Sequence, residues 1–186
     1  HIGSSIKDQA HFEYKWDTAQ GRSVYMNLLD PETVEELKAT VRVTSITGDG
    51  PNARVSGYFC NDGIGDIFAR VGINDTQASF GVFREYWDGD HLIVDLLFPV
   101  TILGPVTMGN RYELTLGWNG SMLTCGVEGL DDTVSYSDTY SPTGPLTDPT
   151  FHKRSIGVLS IPVLDTTTPT FNLDEVPGAV HYRVDV

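Results

Sequence analysis

Hydrophobic and polar side chains alternate along much of this chain with a period of two. Residues 37–47 set Leu37, Ala39, Val41 and Val43 on one face against Lys38, Thr40, Arg42 and Thr44 on the other. Successive side chains of a strand point to opposite faces, so such a segment lays one face on a core and the other in water. Residues 53–60 and 66–73 repeat the habit, the latter with Ile67, Ala69, Val71 and Ile73 opposite Asp66, Phe68, Arg70 and Gly72. Asn61-Asp62-Gly63 separates these two runs with turn chemistry. The stretch predicts the middle of an antiparallel sheet.

The same reading covers the rest of the chain. Residues 11–16 and 24–29 predict two early strands. Residues 30–36, with Asp30 at a cap, Pro31 next and acids following, are the one helix-like start, a turn or two at most. Residues 78–87 and 91–98 predict a hairpin about Asp88-Gly89, with Pro99 and Pro105 flanking a short edge segment. Residues 111–118 put Tyr112, Leu114, Leu116 and Trp118 on one side, and Asn119-Gly120 turns that strand into 121–127. Further strands are expected at 134–136 and 153–163. Many short strands with Gly, Asn and Pro between them predict an all-β fold, a two-sheet antiparallel β-sandwich of jelly-roll type.

The expected organisation is an extended arm or lead-in at 1–9, a sandwich domain at 10–164, a Thr-rich linker at 165–170 and terminal strands at 171–186. The chain starts at His1 without Met, which suggests a trimmed N-terminus, and its strand pattern runs to Val186, which suggests a continuing polypeptide. One domain suits 186 residues. The formal charge of −13 argues against nucleic-acid partners, because it offers no excess of cations for phosphates, and against anionic membrane surfaces. No apolar run reaches the roughly 20 residues of a spanning helix.

The residues just read resemble a known family. Residues 39–43, 53–59, 61–63 and 65–69, with 109–120 later, resemble bacterial surface domains of the concanavalin A-like lectin/glucanase (laminin G-like) superfamily. Phe171, residues 176–179 and residues 182–184 resemble the start of a fibronectin type III-like module. The resemblance implies two curved antiparallel sheets, an extracellular or cell-surface setting, and binding of a glycan or a surface protein. Two alternatives accompany it. One is a structural subunit, a homo-oligomer or filament built by strand addition from a terminal segment. The other is a laminarinase-type glycoside hydrolase. Such an enzyme needs carboxylates at alternating strand positions; the family's trio is missing here, and Glu85, Asp88 and Asp90 are the nearest substitute.

Candidate sites follow from residue chemistry. Aromatic faces stack on sugar rings, and Tyr58, Tyr86, Trp87, Trp118 and Tyr136 are candidates; Arg84, Tyr86 and Trp87 form the preferred ligand-contact group beside the hairpin tip. Trp118, on the apolar side of its strand, reads as core. Asn61, Asp62 and Asp66, oxygen donors on a Gly-rich loop, suggest calcium. Cys60 and Cys125 are either two buried thiols or one disulfide between neighbouring strands. Asn74-Asp75-Thr76 and Asn119-Gly120-Ser121 match the N-glycosylation sequon.

Overall fold

A computed structural model describes residues 12–17, 22–28, 35–43, 52–151, 154–159 and 181–185. Among them the chain is built of strands: β1 (Phe12–Asp17), β2 (Arg22–Leu28), β3 (Glu36–Arg42), β4 (Asn52–Asn61), β5 (Asp66–Ile73), β6 (Gln77–Asp88), β7 (His91–Pro105), β8 (Arg111–Trp118), β9 (Leu123–Gly129), β10 (Ser135–Tyr140), β11 (Arg154–Leu159) and β12 (His181–Asp185). They form a seven-stranded sheet in the order β1-β2-β11-β4-β5-β6-β7 and a five-stranded sheet in the order β10-β9-β8-β3-β12. All pairings are antiparallel except β12 with β3, which is parallel.

The two sheets stack into a sandwich because each has one greasy face. Leu37, Ala39, Val41, Tyr112, Leu114, Leu116, Leu123, Cys125 and Val127 come from the five-stranded sheet. Ala53, Val55, Ile67, Ala69, Val71, Ile73, Ala78, Phe80 and Val82 come from the seven-stranded one. Together they make one buried cluster, and the period of two is what aligns them. Val41, Val43, Leu114 and Leu116 are all buried, as the alternation predicts. Trp118 packs partly buried against that cluster.

Three local features adjust the expectation. First, β7 runs unbroken from His91 to Pro105, so Pro99 does not end the strand. It falls where the β6–β7 register is irregular, and β7 is an edge strand, where a missing N–H breaks no essential ladder bond. Gly104 lets β7 pass beneath β10: a Cβ there would lie 2.4 Å from the Tyr136 ring, whose hydroxyl donates to the Pro105 carbonyl at 2.8 Å. Second, Glu36 begins β3 rather than ending a helical turn, while 30–34 lie outside the described residues. Third, β12 pairs its Val184 with Val41 on the open edge of β3. Within the tail expected to open a fibronectin-like module, that strand thus forms one edge of the five-stranded sheet. The expected arm at 1–9, the linker at 165–170 and the rest of the tail lie outside the described residues.

Candidate functional site

The outer face of the seven-stranded sheet carries rings where a wet face ordinarily carries polar groups. Tyr58 on β4 pairs with Phe68 on β5, Phe68 with Phe83 on β6, and Phe83 with Leu96 on β7. Directly opposed residues share a face, so these four stand in a row across the strands. Phe151 extends the row beyond Tyr58: successive ring centroids lie 5.4 Å (Phe151–Tyr58), 5.1 Å (Tyr58–Phe68) and 6.2 Å (Phe68–Phe83) apart, all tilted. A shift at Tyr58/Cys60 in the β4–β5 register lets Phe59 and Cys60 turn inward while Tyr58 stays outside. Polar groups border the row. The Tyr58 hydroxyl donates to Glu85 Oε2, and the Arg70 guanidinium sits 4.8 Å above the Phe83 ring. Burial lowers the Arg70 pKa.

Phe151 is held there by Asp66. Asp66 is 2% exposed. Its Oδ1 accepts from Thr150 N at 2.8 Å and from Asn61 Nδ2 at 2.9 Å, and its Oδ2 accepts from Phe151 N at 2.9 Å. Asn61 and Thr147 exchange backbone hydrogen bonds beside it. Asp62 instead closes the β4–β5 turn, its Oδ1 accepting from Ile64 N and Gly65 N, each at 3.1 Å. Its Oδ2 accepts from Arg84 Nε at 2.8 Å. Asn61 Oδ1 accepts from Gly63 N at 2.8 Å. The three residues expected to ligate calcium therefore turn their oxygens into the chain. Among the described residues no cluster of three or more His, Cys, Asp or Glu side chains is placed to hold a metal ion.

The expected ligand-contact group divides between two faces. Trp87 lies opposite Leu92 on the ring-bearing face and is 58% exposed. Arg84 and Tyr86 stand at the alternate positions of β6, opposite Asp95 and Ile93. Arg84 is bound to Asp62, with Asp95 Oδ2 3.5 Å from Nη1. It is thus held in an ion pair with Asp62. Glu85 and Asp88, three residues apart on one strand, point to opposite faces, and Asp88 and Asp90 flank the exposed Gly89 turn. Both cysteines are free, buried thiols, one in each sheet. In the two sequon turns, Asn74 Oδ1 accepts from Thr76 N and Gln77 N, and Asn119 Oδ1 from Ser121 N and Met122 N.

A second feature of the outer face is aliphatic. Leu92, Val94 and Leu96 share it with Trp87, Glu85 and Phe83. Beyond the bulges, Val100 lies against Gly81, and Ile102 pairs with Ser79. Six of the ten large apolar side chains exposed among the described residues sit on this one hairpin, so the exposure is a patch and not scatter. Residue chemistry in the sequence pointed to Tyr58 and Trp87 but not to Phe68, Phe83, Phe151 or the aliphatic strip. The signal was present at Phe68, an aromatic opposite the core face of β5, and in residues 92–98, apolar on both faces. No protein-family model matches this chain, and comparison with curated proteins and with solved structures gives no match either.

Proposed function

We propose that this chain is a non-catalytic binding module of an extracellular or cell-surface protein, and that its ligand is a carbohydrate received on the outer face of the seven-stranded sheet. The row Phe151–Tyr58–Phe68–Phe83 carries this reading. Strands step about 4.8 Å, close to the length of one hexose ring. A sugar chain lying across the strands therefore meets an aromatic group at each step. Rings supply apolar contact to the sugar's C–H face, while the Glu85 carboxylate and the Arg70 guanidinium take hydroxyls from the sides. The resemblance of residues 53–69 and 109–120 to concanavalin A-like surface domains points the same way.

A glycan array tests it. Retention of a glycan by the wild-type chain, weakened at least about tenfold by Phe151→Ala and by Trp87→Ala, is the expected result. Silence across the array removes the carbohydrate reading. The aliphatic strip favours a second reading, adhesion to a protein surface, because branched aliphatic side chains have no hydrogen bonds to offer a sugar.

A further inference from the structure

We propose that the outer face of the β6–β7 hairpin is a self-association surface, on which a second copy of this chain packs face to face about a two-fold axis. The strip is exposed and nearly free of charge. Trp87, Leu92, Val94, Leu96, Val100 and Ile102 line it, and its one carboxylate, Glu85, already accepts the Tyr58 hydroxyl. β7 has no further strand beside it among the described residues.

Three observations choose a second copy as the occupant. The first is symmetry along the strand. Val94 and Leu96 precede Phe98 by four and two residues, and Val100 and Ile102 follow it by two and four. A two-fold axis crossing the strands near Phe98 lays Leu96 over the partner's Val100 and Val94 over the partner's Ile102. An isologous contact needs this kind of self-matching. The second is charge. Each copy carries a formal −13, so two copies repel over most of their surfaces and approach best through a face that holds a single carboxylate. A basic partner would find no row of acids on this strip to pair with. The third is area. Residues 92–102 span about 35 Å at about 3.3 Å per residue, and two strands about 4.8 Å apart present about 10 Å of width. That is roughly 350 Å² per copy and about 700 Å² in all, the size of a weak, transient dimer contact. Edge-to-edge pairing of two β7 strands is the poorer route, since Pro99 lacks an N–H in mid-strand.

Sedimentation equilibrium of the 186-residue chain decides the matter. The expected result is a reversible dimer with a micromolar-range dissociation constant. It tightens as salt rises from about 0.15 M to about 1 M and the screening length shrinks from about 8 Å to about 3 Å. Val94→Lys with Ile102→Lys is expected to weaken the dimer at least about tenfold although it lowers the net negative charge, which separates apolar burial from charge repulsion. Both positions are over half exposed, so the thermal midpoint should hold; Leu92→Lys, at the hairpin end, carries the same test if it does not. A monomer at every concentration, a dimer indifferent to these substitutions, or a dimer that salt dissolves overturns the proposal. Trp87 and Glu85 belong to both surfaces, so dimer and glycan compete for them, and glycan retention by the dissociated variant leaves the carbohydrate reading standing on its own.

Discussion

Asp66 accepts the backbone N–H of Phe151 at 2.9 Å, so a carboxylate at the start of β5 decides where a ring from the far loop stands. The link joins residues 85 apart in the chain. It makes the aromatic row a product of the whole fold, since the clamp ties Phe151 beside Tyr58 across that separation.

Asp66→Asn keeps the size of the side chain but turns one acceptor oxygen into a donor. The N–H groups of Thr150 and Phe151 donate to separate oxygens of Asp66, and a neutral Asn leaves only one of them an acceptor. The expected cost is about 1–3 kcal/mol in urea unfolding, with earlier protease cleavage in 147–151 and weaker glycan retention. Unchanged stability and cleavage would show that the loop is held by other contacts.

Stability should rise with pH between about 2 and about 4. The Asp131 carboxyl is held down to about 2 by hydrogen bonds from Arg111. Asp132 is lowered by hydrogen bonds from the Tyr112 hydroxyl and Asn110. For Asp62, burial pushes the pKa upward, but the Arg84 hydrogen bond and the Gly65 and Ile64 N–H groups outweigh it, and the net shift is down. An unfolded Asp titrates near 3.9. Folded pKa values below that mean the unfolded chain binds more protons in this window, so the contribution is complete above about pH 4 and is lost as pH falls through the folded values. Asp131→Asn and Asp62→Asn should each flatten the slope of urea midpoint against pH there. A slope that neither substitution changes would contradict the assignment.

Both thiols should be inert while the chain is folded. Burial, reinforced by the Asp62 and Asp66 charges, pushes Cys60 up to about 12. Burial does the same for Cys125, also to about 12. Thiolate is the reactive form, so a thiol reagent at about pH 8 should label neither residue quickly in buffer and both in denaturant. Absence of titratable thiol in denaturant without reductant would establish the disulfide instead.

Equal truncations on the two faces of the sandwich should cost unequal amounts. Leu116 is fully buried, and Leu116→Ala is expected to lose about 2–5 kcal/mol. Ile102 is 61% exposed, and Ile102→Ala should stay within about 0.5 kcal/mol. Denaturant midpoints measure both. In chain dilute enough to be monomeric, a large loss at Ile102 would mean that the hairpin face is covered within the chain.

Much of the fold was legible because its signal is local. Leu114 and Leu116, or Ile67 and Ala69, mark a core face by spacing alone. The divided placement of Arg84 and Trp87 was legible by the same rule, since residues three apart on a strand cannot share a face. Asp66 was not legible. Its parity places it with Phe68 and Arg70 on the water side, and only the loop 147–151, far along the chain, closes over it. The apolar character of β7 was legible, but which of its faces is left bare was not, for a related reason. A strand apolar on both faces reads as buried twice, and which face is left bare depends on where the sheet ends.

In the proposed function, ligand meets the ring-bearing outer face of the seven-stranded sheet. Amide chemical-shift mapping during titration with gluco-oligosaccharides, or with whichever glycan the array returns, reads this residue by residue. Perturbations are expected to gather at Tyr58, Phe68, Arg70, Phe83, Glu85, Trp87 and Phe151. Perturbations gathered instead on β8 to β10, or at the turns around Asp62 and Asp131, would contradict it.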